Sequence, residues 1–191
     1  MVHSLYHMTD EELVSHIQTG DIELFGQIMD RYTDKLSRYG RRFLASSDHI
    51  EDIVQDVFIK SYQNIQSFDT TRKFSSWIYR IAHNAFVNAL RDRATEPVTV
   101  FDFDTLLSHT AYENPVEQRK EDDEMRVLVQ KGIETLAPIY REVVTLYYFE
   151  EMDYQQISDI LEIPIGTVGI RLSRAKALVK KHVASYSHIH I

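Results

Sequence analysis

Residues 48–93 are predicted to form two successive amphipathic helices joined by a short turn. In the first helix, apolar side chains recur at three- and four-residue intervals, the spacing that places them on one helical face. The predicted core positions of this helix are Ile50, Ile53, Val54, Val57, Phe58 and Ile65. The opposite face carries Glu51, Asp52, Gln55 and Asp56. Because ionised carboxylates are rarely buried without a partner, this face is predicted to be an exposed acidic strip.

The second helix of this pair mixes aromatic, basic and amide side chains. Its apolar positions are Trp77, Ile78, Ile81, Ala85 and Leu90, and they alternate with Arg80, His83, Asn84, Asn88 and Arg91. The turn before it adds Phe68, Arg72, Lys73 and Phe74. Aromatic rings stack on nucleic-acid bases, basic groups neutralise phosphates, and short amides read base edges. The pattern therefore indicates a nucleic-acid surface, although a buried aromatic cluster would explain the rings alone, and Trp77 is expected to pack partly in the core.

A second pair of helices is predicted near the C-terminus. Asp153 and Gln156 have the spacing of a capping box, and a tight turn at residues 162–164 leads into a longer helix. Two helices connected in this way are typical of a helix-turn-helix. The predicted buried stripe of the second helix is Val168, Leu172, Ala175 and Val179. Its outward face holds Gly166, Gly169, Ile170 and Ser173, flanked by Arg171, Arg174 and Lys176 where phosphate oxygens would lie.

Helical patterns also occupy the N-terminus and the region before the helix-turn-helix. Thr9 and Glu12 have capping-box spacing, and a break at residues 20–21 separates a short helix from a longer one with a basic flank. A further helix is predicted from about Pro115, and another begins at Pro138. The apolar residues predicted to face the core in these two helices are Val116, Met125, Leu128, Val129, Ile133, Leu136, Ile139, Val143, Val144, Leu146, Tyr147 and Phe149.

The formal net charge of −8 is unevenly distributed along the 191 residues. Residues 92–124 carry ten acidic and three basic side chains, whereas the segments on either side are close to neutral. The chain has no cysteine, which excludes disulfides and thiolate metal sites. It contains no apolar run of about 20 residues and no basic-then-apolar leader, so a soluble cytoplasmic protein is expected.

The predicted fold is all-α. We predict an N-terminal helical bundle over residues 1–93 whose last helix ends by Arg93, an acidic linker over 94–123, and a C-terminal helical domain over 124–191. The tail contains His182, His188 and His190 but lacks the further ligands and fixed frame of a metal site, so a frayed terminus is expected. No metal and no cofactor are expected.

Two long motifs resemble a known family. The pattern ED-I-VQDVF-IK, followed by F-SSWIYRIAHN, resembles conserved region 2 of bacterial sigma factors. The stretch LAPIYREVVTLYYFEEMDYQQISDILEIPIGTVGIRLSRAKALV resembles region 4. A chain with only these two regions resembles the extracytoplasmic-function (ECF) sigma factors. The resemblance implies a protein without catalytic activity that binds core RNA polymerase and confers promoter recognition.

The resemblance also implies three sets of contact residues. Docking on the clamp helices of the polymerase largest subunit would involve Glu51, Asp52, Gln55 and Asp56. Opening and holding of the −10 element would involve Arg72, Lys73, Trp77, Arg80, Asn84 and Asn88, with Asn84 beside the pocket for a flipped base. Reading of the −35 duplex would involve Thr167, Gly169, Ile170, Arg171, Ser173, Arg174 and Lys176.

The sequence departs from the family pattern at several of these positions. Gly169 and Ile170 replace a basic residue and a serine, Glu162 replaces a frequent glycine in the turn, and Asn88 replaces a frequent aspartate. Because no Arg or Asn faces the −35 bases, specificity there is expected to rest on contacts with thymine methyls and on DNA shape.

The implied partners are core RNA polymerase, through its clamp helices and flap, promoter DNA, and an anti-sigma factor, which in this family is often membrane-anchored. Two other functions remain open from the residues. A dimeric helix-turn-helix regulator would bind duplex operators but leaves residues 48–93 unexplained. A hydrolase that uses Glu51, Asp52 and Asp56 as its acid–base groups would lose turnover when they are replaced by alanine.

Overall fold

The computed structural model describes residues 8–44, 46–94 and 120–187. Its α-helices, in chain order, are α1 (Asp10–Gln18), α2 (Phe25–Gly40), α3 (Ser47–Asn64), α4 (Phe74–Ala94), α5 (Lys120–Glu134), α6 (Pro138–Val144), α7 (Tyr154–Leu161) and α8 (Ile165–Ser187). Short 3-10 turns occupy Ile22–Leu24 and Ile65–Ser67, and a π-helical turn occupies Thr145–Phe149. No strand occurs in the described part of the chain, which confirms the all-α prediction.

The helices fall into two compact units. The N-terminal unit is built from α1–α4, and the C-terminal unit contains α5, α6, α8 and most of α7. Most of the predicted acidic linker, together with Val116, His188 and His190, lies outside the described residues. Within the described ranges, no helix is both long enough and apolar enough to cross a bilayer.

The N-terminal unit starts with the predicted capping box. The backbone N–H of Thr9 donates to Oε2 of Glu12 at 2.8 Å, and the N–H of Glu12 donates to Oγ1 of Thr9 at 3.2 Å. These bonds satisfy two amides that the first helical turn leaves unpaired. Helix α1 stops before Gly20, whose φ of +121° is a conformation that glycine adopts without steric cost.

Helix α3 buries the apolar stripe that its sequence predicts. Every predicted core position of residues 50–65 is buried, and the acidic residues of α3 lie on its exposed side. A close approach between α2 and α4 occurs at Gly40, where a Cβ atom would lie 2.5 Å from the Phe86 ring and 2.9 Å from Ile50. Only glycine fits at this crossing without displacing a buried side chain.

The buried stripe of α4 coincides only in part with the apolar positions of its sequence. The fully buried side chains are Phe74, Ile78, Tyr79, Ala82 and Phe86, whereas Ile81, Ala85 and Leu90 are half-buried. Large apolar residues occupy two adjacent rows of this helix, so spacing alone does not determine which row faces the core. The aromatic rings of α2 decide it, because Tyr32 and Tyr39 pack against Phe74, Tyr79 and Phe86. Helix α4 also extends one residue beyond the predicted Arg93.

The C-terminal unit packs α5 and α6 against α8. The half-buried guanidinium of Arg141 donates to the carbonyl oxygens of Glu134 and Leu136 and so satisfies the C-terminal end of α5, and partial burial lowers its pKa. Three predicted core residues of this region, Met125, Val129 and Ile139, are exposed instead. Apolar residues on short surface helices are often exposed in this way, since the core faces only one side of each helix.

The tail also differs from the prediction. Helix α8 continues to Ser187, and His182 packs its ring against Gly132 of α5, where a Cβ atom would lie 3.3 Å from its Cδ2. Nε2 of His182 is buried without a hydrogen-bond partner among the described residues. His182 is therefore part of the packing between α5 and α8 and not of a frayed terminus.

Candidate polymerase and nucleic-acid interfaces

The acidic strip of α3 is formed as the sequence predicts. Glu51, Asp52, Gln55 and Asp56 are all exposed, and residues that alternate with them along the helix are buried. No ion pair with another described residue engages these carboxylates. The strip is thus a fixed array of negative charge on a helix whose other face is anchored in the core.

The turn between α3 and α4 brings aromatic rings together. Phe68 lies 5.2 Å from Trp77 and 5.5 Å from Phe74, and Phe74 lies 5.5 Å from Trp77, between ring centroids. Phe68 and Phe74 are buried, whereas Trp77 is half-buried, as predicted, and keeps part of its ring at the surface. Arg72 and Lys73 are exposed beside this cluster. The turn therefore combines an accessible indole with two cations.

Asp69 shapes this turn. Its Oδ1 accepts hydrogen bonds from the backbone N–H of Thr71 at 3.0 Å and from the Thr71 hydroxyl at 2.7 Å. The hydroxyl and amide of Thr71 hold the pKa of Asp69 below its usual range, because both stabilise the carboxylate. The charged form of Asp69 thereby fixes the chain direction just before Arg72.

One stripe of α4 carries the predicted nucleic-acid side chains. Trp77, Arg80, Asn84 and Asn88 follow each other at intervals of three and four residues, which places them along one helical face. Trp77 and Arg80 are half-buried, and both asparagines are exposed. Along the helix the order is an aromatic ring, a guanidinium and two amides. One row therefore holds a group that can stack, a positive charge and two groups that can hydrogen-bond.

The helix-turn-helix of α7 and α8 has the predicted cap and turn. The backbone N–H of Gln156 donates to Oδ1 of Asp153 at 2.8 Å, and the N–H of Asp153 donates to Oε1 of Gln156 at 2.9 Å. Helix α7 ends at Leu161, and the next residue, Glu162, has a left-handed φ of 54°, a conformation that usually selects glycine. In α8, Val168, Leu172 and Ala175 are buried as predicted.

The side chains predicted to read the −35 element differ in their exposure. Gly166, Ile170, Ser173, Arg174 and Lys176 are exposed, and Thr167, Gly169 and Arg171 are half-buried. Arg171 lies near the half-buried carboxyl of Glu142; burial raises the pKa of Glu142, and the Arg171 charge opposes that shift. Arg171 therefore interacts with α6 of its own unit as well as lying beside the outward face.

A tyrosine cluster beside α8 was missed by the sequence reasoning. The Tyr147 ring lies 4.8 Å from Tyr148 and 5.5 Å from Tyr154, and Nζ of Lys176 lies 5.6 Å from the Tyr148 ring centroid. Hydrogen bonding to Tyr148 raises the pKa of Lys176. The sequence predicts Tyr147 to be core, but it is half-buried, and Tyr148 is exposed on the π-helical turn of residues 145–149. The only sequence signal for this cluster is the adjacent pair Tyr147 and Tyr148.

Comparison with known proteins identifies both halves of the chain. Residues 28–96 match the family model for Sigma-70 region 2, and residues 126–179 match the model for Sigma-70 region 4. Over 182 residues the chain is 32% identical to the ECF RNA polymerase sigma factor SigW of Bacillus subtilis, covering 92% of this chain and 97% of that relative. The chain belongs to the ECF sigma factor family. It is also 31% identical over 183 residues to the ECF sigma-E factor of Escherichia coli, covering 92% and 95% of the two chains.

Two solved structures share the fold. CnrH, solved in complex with the cytosolic domain of CnrY, aligns with a TM-score of 0.66 at 22% identity over 92% of this chain and 97% of its own. The sigma factor RpoE of Bartonella quintana, solved with the anti-sigma factor NepR, aligns with a TM-score of 0.61 at 24% identity over 84% and 96%. As an ECF sigma factor, the protein acts in promoter-specific transcription initiation.

Proposed function

We propose that this sigma factor binds core RNA polymerase through the acidic strip of α3, holds the −10 element on α4 and its preceding turn, and reads the −35 element with α8. One observation carries the proposal. Within the N-terminal unit, α3 and α4 pack together while α3 exposes a row of carboxylates and α4 exposes a row of aromatic, cationic and amide groups. These rows have opposite electrostatic character, so one suits a basic protein surface and the other suits nucleic acid.

The proposed polymerase contact is between the acidic strip and the clamp helices of the largest subunit. Opposite charges across such an interface accelerate encounter and fix the register of docking. Because the strip lies on a helix with a buried opposite face, its carboxylates need little reordering on binding. The C-terminal unit is proposed to contact the polymerase flap.

The proposed −10 contact explains why a protein surface would combine these groups. A base can be captured only after it leaves the stack, and an aromatic ring or a polar pocket then replaces the lost stacking. The accessible part of Trp77 supplies the ring, Arg72 and Lys73 offset the charge of the phosphates, and Asn84 and Asn88 hydrogen-bond base edges. The bond-forming chemistry of RNA synthesis belongs to the polymerase.

The proposed −35 contact places α8 in the major groove. Ile170 is 56% exposed on the outward face, where an apolar side chain can contact a thymine methyl. Arg174 and Lys176 lie on the flanks and would neutralise phosphates. Tyr154, whose ring lies beside Gly169, adds an aromatic edge next to the same groove face.

An anti-sigma factor is the third proposed partner. RpoE of Bartonella quintana, which shares the fold, was solved with the anti-sigma factor NepR. A protein inhibitor that covered α3 or α4 would block the polymerase or promoter contact directly.

Run-off transcription tests the proposal. Purified core polymerase from the source bacterium is incubated with fragmented genomic DNA, with and without this protein. New discrete transcripts whose upstream sequences share two spaced elements are expected only when the protein is present. Failure to bind core polymerase, together with specific binding of duplex DNA by the protein alone, would instead support a polymerase-independent regulator.

A further inference from the structure

Helix α1 is hydrogen-bonded to both ends of the turn that precedes α4. The side-chain amide of Gln18 donates to the carbonyl oxygens of Ile65 at 2.7 Å and Phe68 at 2.8 Å. Oε1 of Glu11 accepts from the backbone N–H of Phe74 at 3.0 Å. One short helix therefore fixes where the turn begins and where α4 starts.

The contact of Glu11 is a helix cap supplied from a distant part of the sequence. The first N–H groups of a helix lack intrahelical acceptors, and a carboxylate at that end also interacts favourably with the helix dipole. Lys73, which precedes α4, has no acceptor in its side chain and cannot cap it locally. The start of α4 thus depends on α1.

Helix α1 is itself held firmly. Oδ1 of Asp10 accepts from Arg31 at 2.6 Å, and its Oδ2 accepts from the Tyr32 hydroxyl at 2.5 Å. The apolar face of α1 is fully buried through Leu13, Val14 and Ile17. A helix held in this way gives Glu11 and Gln18 fixed positions from which to bond the backbone of the turn.

We propose that Glu11 and Gln18 are positioning residues for capture of the −10 strand. They act through the backbone of residues 65–74, and they hold Arg72, Lys73 and Trp77 in the arrangement that receives unstacked bases. A preformed turn binds single-stranded DNA more tightly because the cost of ordering it is met during folding and not on binding. This inference rests on the proposed function.

The experiment uses the full chain assembled with core polymerase. Gln18→Met removes both donated bonds at nearly constant size, Glu11→Ala removes the cap, and Glu11→Gln keeps an acceptor oxygen without the charge. The matched controls are Gln27→Met on α2 and Glu23→Ala in the turn before α2, because the structure gives neither side chain a hydrogen bond to residues 65–74. The probe is the single-stranded non-template oligonucleotide spanning the −10 element of a promoter mapped by run-off transcription.

We expect Gln18→Met and Glu11→Ala to weaken binding of this oligonucleotide about tenfold, a difference of about 1.4 kcal/mol. Glu11→Gln should retain most of the affinity, and both controls should match the original protein. Affinity for core polymerase and for a duplex −35 fragment should not change in any variant. A general loss of folding would weaken all three binding activities, whereas the expected defect is confined to the −10 strand.

Several outcomes would overturn the inference. Equal binding by all variants would overturn it while leaving the proposed function intact. A parallel loss of core binding, or unfolding of both Gln18→Met and Glu11→Ala at the assay temperature, would assign the two residues to stability alone. If the original holoenzyme does not bind the oligonucleotide, the proposed −10 surface fails first and the inference fails with it.

Discussion

The hydroxyl group of Tyr39 lies 2.9 Å from Nδ1 of His83, where α2 meets α4. The His83 ring also packs against the Tyr39 ring in a tilted arrangement and against the Phe43 ring edge-on. Burial lowers the pKa of His83 to about 4, because the charged imidazolium would lose its hydration among these rings. Near neutral pH, the structure therefore contains a neutral imidazole on α4, next in sequence to Asn84 of the proposed −10 surface.

This burial predicts a loss of stability in mild acid. The unfolded chain protonates His83 below about pH 6.5, whereas the folded chain does so only near pH 4, so its contribution is complete above pH 6.5 and is lost as the pH falls between these values. Measured by urea unfolding, the free energy of unfolding should fall by about 2 kcal/mol through His83 alone when the pH is lowered from about 7.5 to about 5. His83→Phe should lose correspondingly less stability over that range.

Two glycines of α2 predict opposite responses to the same substitution. A Cβ atom at Gly40 would lie 2.5 Å from the buried Phe86 ring, whereas nothing lies within 4 Å of one at Gly26. Gly40→Ala should lower the free energy of unfolding by about 1–3 kcal/mol through overpacking. Gly26→Ala should raise it by about 0.5 kcal/mol, because alanine loses less backbone entropy in a helix. Thermal unfolding of both variants measures the difference, and equal effects would contradict the close approach of α2 and α4.

The N-terminal core could be predicted largely from spacing, and the exceptions have physical causes. The α3 stripe from Ile50 to Ile65 was confirmed because polar and apolar residues alternate there without ambiguity. In α4, by contrast, Ile81 and Tyr79 are both compatible with a core position, and the Tyr39 and Phe86 rings determine which one is buried. Packing across helices that are distant in sequence decides such cases, and spacing within one helix does not report it.

The turn of the helix-turn-helix contains a residue in an unfavourable conformation. Glu162 directly follows α7 and has a φ of 54°, a left-handed geometry in which a Cβ atom is crowded by the backbone. Glu162→Gly should raise the free energy of unfolding by about 0.5–1 kcal/mol, since glycine adopts this geometry without strain. Ala177→Gly in the exposed part of α8 should lower it by about 1 kcal/mol. If Glu162→Gly were as destabilising as Ala177→Gly, the left-handed turn would be incorrect.

The acidic strip predicts a selective defect in polymerase binding. Replacing both Asp52 and Asp56 by alanine should weaken binding to core polymerase at least about tenfold, because two charges that face the partner are lost. The melting temperature should change little, since both side chains are exposed. Asp30 and Asp34 are exposed on α2 and supply a control with the same change of charge. Equal weakening by Asp30→Ala with Asp34→Ala would indicate a nonspecific effect of net charge.

The candidate site could be predicted only where its residues adjoin in sequence. The row from Trp77 to Asn88 follows directly from helical spacing and is present as predicted. The tyrosine cluster around Tyr154 and the bonds of Gln18 to the turn at residues 65–68 could not be predicted, because they join residues from different helices. Side-chain bonds between distant segments leave no periodic signal in a sequence.

Asn84 predicts opposite effects on stability and function. Asn84 is exposed in the middle of α4, where alanine is the better helix former. Asn84→Ala should therefore raise the free energy of unfolding by about 0.5 kcal/mol.

If the amide of Asn84 holds an unstacked base, the same change should slow open-complex formation about tenfold while closed-complex binding changes little. Permanganate footprinting on a mapped promoter measures opening, and a filter-binding assay at low temperature measures the closed complex. A premelted template should recover only part of the loss, because captured bases still lack their partner. If closed-complex binding and open-complex formation were weakened equally, Asn84 would contribute to general DNA affinity and not to capture of the −10 base.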